Sequence, residues 1–225
     1  MIEFMFYIHL HTMINIILPI LFFFSVQANA LQFGLSDVHL SSKEISLENR
    51  NNVNYVNDVF KDNILLNLWY MQGKKIDARD VKWDEITKPF TFSFTLLPGK
   101  TFAFHEDVLP EFKDRVTATT NTHFNFAEGF KSDGYLVGDG VCHLASLIYW
   151  AAKEADLDAY APTNHNFMEI PEVPKNFGVS IYNMPGNPQA GAIQNLYITN
   201  NRKKPIVFKF HYMNSNLKLS IYEEA

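Results

Sequence analysis

The chain has 225 residues, a length that fits one domain with at most a small appendage, and its 47% hydrophobic content supplies a substantial core. A formal net charge of −5 excludes a general electrostatic surface for nucleic acid. The single cysteine excludes both an intrachain disulfide and a zinc site built from several thiolates.

Residues 1–30 are predicted to be a secretory signal peptide. The apolar run from Met13 to Val26 is shorter than the roughly 20 residues of a membrane span, and Ala28-Asn29-Ala30 suits a signal peptidase. The usual basic start is missing, and Glu3 is the only charged residue. An uncleaved anchor and a wrongly assigned start codon are the alternatives. We therefore expect an exported, extracytoplasmic protein that contacts a membrane only if this segment is retained.

Residues 31–87 are predicted to be an N-terminal extension that carries one helix. Residues 31–50 are polar and mixed, which is typical of an irregular lead-in. Between Val53 and Met71 the apolar residues recur at helical spacing, so this segment is predicted to be an amphipathic helix that stops at Gly73.

Residues 88–225 predict an α+β domain in which an antiparallel sheet packs against one central helix. Apolar and polar residues alternate over 90–96 and again over 101–104, on either side of a Pro98-Gly99 turn, so the two segments resemble a hairpin. Helical spacing returns from Cys142 to Asp156, which we predict to be the central helix. Four later strands are predicted at Val179–Tyr182, Asn195–Thr199, Ile206–Tyr212 and Leu217–Tyr222.

The stretch from Gly138 to His143 carries the strongest signal for chemistry. Its glycines allow a tight approach to the helix and Asp139 is a good N-cap, so Cys142 is predicted to lie in the first turn. Exposed amides and the helix dipole favour a thiolate there, so we expect a lowered pKa for this thiol. Its helix face also carries Ala145 and Ser146, and either holds a substrate or forms a second packing layer. A lone cysteine is also commonly a small core residue.

His165 is the candidate general base for Cys142. Cysteine enzymes of the papain type place the nucleophile at a helix start and the histidine downstream, oriented by an Asn or Asp, and Asn164 is the neighbouring candidate. The alternative for His165 is a buried structural role with a hydrogen bond to the backbone. His143 is expected to cap the helix or face solvent. The candidates for the helix start and for an oxyanion site are Gly138, Asp139, Gly140 and His143.

A metal site is the weaker hypothesis. His105-Glu106 begins a string like HExxH, but position 109 is Leu and the second histidine is missing. The sequence has no phosphate-binding glycine motif, so nucleotide chemistry has no support, and we expect neither a cofactor nor a metal. A mixed metal site is conceivable, although no spacing requires it, from His123, Cys142, His143 and His165.

Four motifs together resemble the VanW-like family, which is found beside glycopeptide-resistance genes and in many exported bacterial proteins. The family carries P-G-x-x-F-[SA]-F, G-x-G-[VI]-C-[QH], a loop with histidine, and an N-N-x-x-x-P-I turn. The chain has these motifs in the same order, at 98–104, 138–143, 164–167 and 200–206. It departs from the pattern at Asp139, where a glycine is usual, and at His143, where glutamine is usual. These departures indicate a divergent member.

The resemblance implies association with the cell envelope, with cell-wall peptide or glycan as the partner, and it supplies no reaction. Two hypotheses stay open. In the first, the protein is a cysteine-dependent amidase or acyltransferase acting on cell-wall peptide, with Cys142 as the nucleophile and His165 as the proton shuttle. In the second, it is a non-catalytic module that binds peptidoglycan, and Cys142 only helps to shape the helix start.

Overall fold

The computed structural model describes residues 37–74 and 77–225, so the predicted signal peptide lies outside the described residues. The α+β class is confirmed. In this part of the chain no helix combines the length and the apolar composition that crossing a membrane requires. The helices and strands, in chain order, are β1 (Val38–Ser46), α1 (Asn54–Met71), α2 (Trp83–Ile86), β2 (Phe90–Leu96), β3 (Thr101–Ala103), β4 (Val116–Ala118), α3 (Val141–Glu154), β5 (Asp158–Tyr160), α4 (Pro188–Ala192), β6 (Tyr197–Thr199), β7 (Ile206–Met213) and β8 (Asn216–Glu223).

The strands form two sheets instead of the single one predicted. The first sheet is antiparallel with the order β1-β8-β7-β2, and the second has the order β4-β3-β6-β5 with one parallel pair, β3 and β4. Strand β1 lies where an irregular lead-in was predicted. It has few apolar residues, but it pairs with β8 from Val38 opposite Glu223 to Ser46 opposite Asn216. Backbone pairing with a partner distant in sequence therefore fixes a strand whose own pattern is weak.

The predicted hairpin between β2 and β3 is wrong. The turn itself exists, because the Lys100 amide donates to the Leu97 carbonyl at 3.0 Å, but it carries the chain from one sheet to the other. Phe94 on β2 stacks on Phe208 of the first sheet, with ring centroids 4.8 Å apart, and on Phe102 of β3, at 5.3 Å. The two strands thus meet through their aromatic side chains and not through their backbones.

Helix α3 is the central helix, as predicted. Its buried residues Leu144, Leu147, Ile148 and Ala151 are 0% exposed, and the helix packs against β1, β8, β5 and α1. Helix α1 is also confirmed, and it ends at a left-handed Gly73, whose amide donates to Tyr70. The contact between α1 and the first turn of α3 positions the stretch that the sequence singles out.

The segment 179–182, predicted as a strand, runs past the start of α3 outside both sheets. Its one strand-like pairing is an isolated bridge between Asn164 and Val179. Two of its backbone amides, those of Val179 and Ile181, are bound instead by side chains of α3. The other two amides, those of Ser180 and Tyr182, donate to the carbonyls of Thr163 and Gln194, so the helix and the neighbouring loops together hold the segment.

Candidate functional site

A cleft of about 590 Å³ opens beside the first turn of α3. The loops around 123–139, 165–168 and 181–185 form its walls. It brings together six of the residues predicted for a site, namely Gly138, Asp139, Gly140, Cys142, His143 and His165. Asn164 does not line the cleft, and its amide group points to the Lys175 carbonyl, 3.5 Å away.

The N-cap of α3 is Gly140, whereas the sequence had predicted Asp139 at this position. Gly140 has φ +98°, and a β-carbon on it would lie 2.6 Å from the carbonyl oxygen of Phe60 in α1. Only glycine permits this close approach between the two helices. The carboxylate of Asp139 turns away from the helix and accepts a hydrogen bond from the amide of Asp133 at 3.1 Å. The glycine motif therefore serves helix packing.

The thiol of Cys142 is bound on both sides by one backbone residue. Its sulfur accepts from the amide of Ile181 at 3.4 Å, and its S–H donates to the carbonyl of Ile181 at 3.7 Å. Burial raises the pKa of Cys142 to about 11, and the nearby charge of Asp139 adds to the rise. The expected lowering of this pKa is wrong because loss of solvent outweighs the helix start and the amides that point at the sulfur.

Ser146 extends the same contact, although its position in the sequence predicts no role of its own for it. Its hydroxyl donates to the carbonyl of Cys142 at 2.7 Å and accepts from the amide of Val179 at 2.9 Å. Cys142 and Ser146 stand one helical turn apart and together hold the segment 179–182. This face of α3 is a second packing layer, one of the two alternatives left open. Two small polar residues four positions apart, opposite the apolar stripe, are the signal that marks it.

His143 neither caps the helix nor faces solvent, which corrects the expectation. It is only 2% exposed and lies edge-on to the ring of Phe60, with centroids 5.0 Å apart, and to that of His165, at 6.4 Å. Burial lowers the pKa of His143 to about 3, and the positive charge of Arg50 and the neighbouring His165 add to the effect. The imidazole is therefore neutral, and its Nδ1 is buried without a hydrogen-bond partner among the described residues.

His165 has the hydrogen bond to the backbone that its structural alternative predicted. It is 6% exposed, and its Nδ1 donates to the carbonyl of Met168 at 3.1 Å, which leaves the lone pair on Nε2. Burial also lowers the pKa of His165. The polar contacts of Cys142 and His165 go separately to the backbone, and in the described part of the chain no hydrogen bond joins them. The assignment of the two as a catalytic pair stays a prediction.

The outer wall of the cleft is apolar and exposed. Tyr135 is 91% exposed and Phe167 is 75% exposed, and both lie in loops that line the cleft. We call the exposed apolar residues of these loops the rim, and they are Phe126, Tyr135, Leu136, Phe167, Met168 and Tyr182.

A histidine with two carboxylate partners also lines the wall of the cleft. His123 lies between two carboxylates, with Nε2 2.6 Å from Glu106 and Nδ1 2.7 Å from Glu128. The hydrogen bond to Glu128 and the charge of Glu106 raise the pKa of His123. The imidazole therefore bridges two loops, 105–107 and 123–128, at the wall of the cleft.

A family model described as VanW like protein matches residues 92–222, more than half of the chain. The chain belongs to the VanW-like protein family. A search of curated proteins and a search of solved structures each found no match.

In this VanW-like protein the matched range holds α3 and the loops of the cleft, whereas β1 and α1 precede it. Phe60, which packs against Gly140 and His143, therefore comes from outside the matched range. Across residues 37–74 and 77–225, no three His, Cys, Asp or Glu side chains are grouped so that they could hold a metal ion. Of the four residues named for a mixed site, His123 is occupied by two carboxylates and Cys142 by the backbone.

Proposed function

We propose that this VanW-like protein is an exported module of the cell envelope that binds peptidoglycan in the cleft beside α3 and performs no covalent catalysis. One observation carries the proposal. The cleft combines a rim of exposed aromatic and aliphatic side chains with a thiol whose hydrogen-bonding capacity is taken up by the backbone of Ile181.

The rim supports binding because exposed apolar groups in one concave place are typical of ligand sites. Tyr135 and Phe167 present ring faces that can stack on the apolar face of a sugar or on the backbone of an extended peptide. The volume of about 590 Å³ lies within the range of ordinary ligand sites and is large enough for a few residues of a polymer. An open cleft of this kind admits a segment of a chain that continues in both directions.

The environment of Cys142 favours binding over acyl transfer. Nucleophilic attack requires the thiolate, and a pKa of about 11 leaves roughly one thiol in ten thousand ionised at pH 7. A general base activates a thiol only within hydrogen-bond reach, and the sulfur bonds to Ile181 instead. Acyl transfer would need the 179–182 segment to release the sulfur first.

Co-sedimentation with purified peptidoglycan sacculi tests the proposal directly. The full-length protein is expected to pellet with the sacculi, and Tyr135→Ala with Phe167→Ala is expected to weaken the binding about tenfold, because rim contacts carry most of the affinity. Tyr55→Ala is the matched control, since Tyr55 is also exposed (65%) but does not line the cleft. Equal binding by the double variant and the wild type contradicts the proposal.

The thiol supplies an independent test. Alkylation by iodoacetamide is expected to be slow at pH 7 and to rise only toward the raised pKa, and Cys142→Ala is expected to bind sacculi as the wild type does. Fast alkylation at pH 7, or soluble wall fragments released by the wild type and not by Cys142→Ala, would instead support the acyl-transfer hypothesis.

A further inference from the structure

We propose that a histidine held between two carboxylates makes ligand binding in the cleft depend on pH. In its protonated form His123 joins loop 105–107 to its own loop through Glu106 and Glu128, and loss of the proton opens the contact with Glu106. We call these three side chains the latch. The inference rests on the proposed function, because it concerns the regulation of binding in the same cleft.

Both ring nitrogens of His123 lie at hydrogen-bond distance from a carboxylate oxygen. Nε2 is 2.6 Å from Oε1 of Glu106, and Nδ1 is 2.7 Å from Oε1 of Glu128. An ionised carboxylate only accepts hydrogen bonds, and a neutral imidazole has a single N–H donor. The two contacts are therefore both hydrogen bonds only when both nitrogens are protonated. Loss of one proton leaves a lone pair of the ring facing a carboxylate oxygen.

The contact that opens is the one with Glu106. Glu128 is held twice, because its second carboxylate oxygen accepts from the backbone amide of His123 at 2.8 Å. Among the described residues, the carboxylate of Glu106 has no partner other than the ring of His123. The side chain of Glu106 is also 46% exposed, so it can turn into solvent. The remaining proton therefore stays on Nδ1, where Glu128 accepts from it.

The latch connects two walls of the cleft. His123 lines one wall, and Phe126 of the rim lies in the same loop. Next to Glu106, the carboxylate of Asp107 accepts a hydrogen bond at 3.1 Å from the side chain of Asn183, which lines another wall. The wall with Phe126 is thus connected to the wall with Asn183 while the latch is closed.

Loop 105–107 is the fixed side of the latch. The side chain of Asn195 donates to two of its carbonyl oxygens, at 3.1 and 2.7 Å. The other side has a strained backbone, because Asn121 and Phe124, which flank His123, both have φ +58°. Such a conformation persists only where surrounding contacts hold it. Opening of the latch is therefore expected to change the wall that carries His123.

The charges around His123 favour its protonated form. The hydrogen bond to Glu128 raises the pKa of His123 above its ordinary 6.5, and desolvation opposes the rise. The negative charges of Glu106, Glu128 and Asp107 raise this pKa further. The latch is therefore closed at low pH and opens as the pH rises through the raised pKa.

The other titratable groups beside the latch and along the cleft do not oppose this direction. The buried histidines His105, His143 and His165 are neutral at neutral pH, because burial lowers the pKa of each. No lysine or arginine among the described residues lines the cleft, and its carboxylates are those of Asp133 and Asp139. Burial raises the pKa of Asp139 to about 6, so this group titrates below His123.

Binding to sacculi at two pH values tests the inference. The full-length wild type is expected to bind several-fold more weakly at about pH 9 than at about pH 6, because the latch is open at the higher pH. Glu106→Gln is expected to bind with similar affinity at both, because the glutamine amide accepts from a protonated Nε2 and donates to an unprotonated one. Asp84→Asn removes an exposed carboxylate outside the cleft and is the matched control, which is expected to keep the response of the wild type.

Nuclear magnetic resonance assigns the response to His123. The Cε1–H resonance of His123 is expected to titrate above pH 6.5, with a midpoint within about half a pH unit of the midpoint for binding. A ring midpoint below 6.5, binding that does not change with pH, or an equal response in Glu106→Gln overturns the inference and leaves the proposed function standing. Failure of the wild type to bind sacculi at any pH overturns both.

Discussion

The floor and the rim of the cleft use their side chains in opposite ways. The floor, which we define as Gly140, Cys142, His143 and Ser146, is largely buried, and its thiol and hydroxyl are hydrogen-bonded to the backbone. The rim is exposed, although one of its rings, that of Phe167, contacts the ring of His165 with centroids 4.0 Å apart. The residues with the most reactive chemistry thus hold the shape of the cleft, while the contacts available to a ligand lie at its edge. Floor substitutions should therefore change stability, and rim substitutions should change binding.

Gly140→Ala is expected to be the most damaging single change. The new β-carbon would lie 2.6 Å from the carbonyl oxygen of Phe60 and 2.9 Å from its α-carbon, at φ +98°. Strain in the left-handed region and a forced shift between α1 and α3 together predict a loss of about 3–5 kcal/mol in the free energy of unfolding. Urea denaturation followed by circular dichroism measures it.

Gly134→Ala separates the two causes of that loss. Gly134 also has a positive φ, +112°, but no atom of the described part of the chain lies within 4 Å of a β-carbon placed there. We expect it to cost about 1–2 kcal/mol, the price of the backbone conformation alone. If both variants lose the same free energy of unfolding, the close approach of α1 and α3 is not the reason why position 140 requires glycine.

The next effect is a dependence of stability on pH that comes from His143. The pKa of this residue falls from 6.5 to about 3 on folding, so between these values the unfolded chain binds a proton that the folded chain does not. Stability is therefore complete above pH 6.5 and is lost as the pH falls toward 3. The expected loss from this residue is about 3 kcal/mol between neutral pH and about pH 4. Denaturation curves at several pH values measure it.

His143→Phe isolates this contribution, because a phenyl ring fills the site beside Phe60 and does not titrate. Asp139 acts in the opposite direction. Burial raises its pKa from 3.8 to about 6, so it binds a proton more readily in the folded chain and stabilises the fold as the pH falls through 6. The difference between wild type and His143→Phe removes this second slope. Parallel pH curves for the two proteins would show that the buried imidazole does not control acid stability.

Ser146→Ala is expected to cost about 2 kcal/mol, because it leaves the amide of Val179 without an acceptor. Ser93→Ala on the exposed face of β2 is the matched control and should change stability by less than about 0.5 kcal/mol. Hydrogen exchange adds a local measurement, since the amides of 179–181 should exchange faster in Ser146→Ala than in the wild type. Unchanged protection of these amides would mean that the floor does not hold the segment.

The two long helices were predictable from the sequence because their signals are local, whereas the short helices α2 and α4 were not predicted. The spacing of apolar residues located α1 and α3, and the glycines with Cys142 located the start of α3. The strands were less predictable, since β1 owes its conformation to β8, at the other end of the domain. The turn at Pro98-Gly99 was correct, but no local pattern says that it joins two different sheets.

The candidate site shows the same difference between local features, which the sequence predicts, and long-range contacts, which it does not. The sequence predicted that Cys142 lies at a helix start, and the helix dipole argued for a thiolate. Burial of the sulfur instead raises the pKa, and it outweighs the hydrogen bond from the amide of Ile181, 39 positions away, which lowers it. The spacing of residues cannot show which loop folds over a helix. Likewise the burial of His143 depends on Phe60 in α1, which lies outside the motif from Gly138 to His143.

The smallest expected change in stability is also the one that most directly tests the division between floor and rim. Tyr135→Ala removes a side chain that is 91% exposed, so the free energy of unfolding should change by less than about 0.5 kcal/mol. Binding to sacculi should nevertheless weaken several-fold, because the ring faces the cleft and not the core. A loss above 1 kcal/mol in stability would instead place the rim within the fold. Ser146→Ala should show the opposite behaviour: it should lose stability but bind sacculi normally under conditions in which it is folded. Opposite results for the two variants would show that the floor stabilises the fold and that the rim binds the ligand.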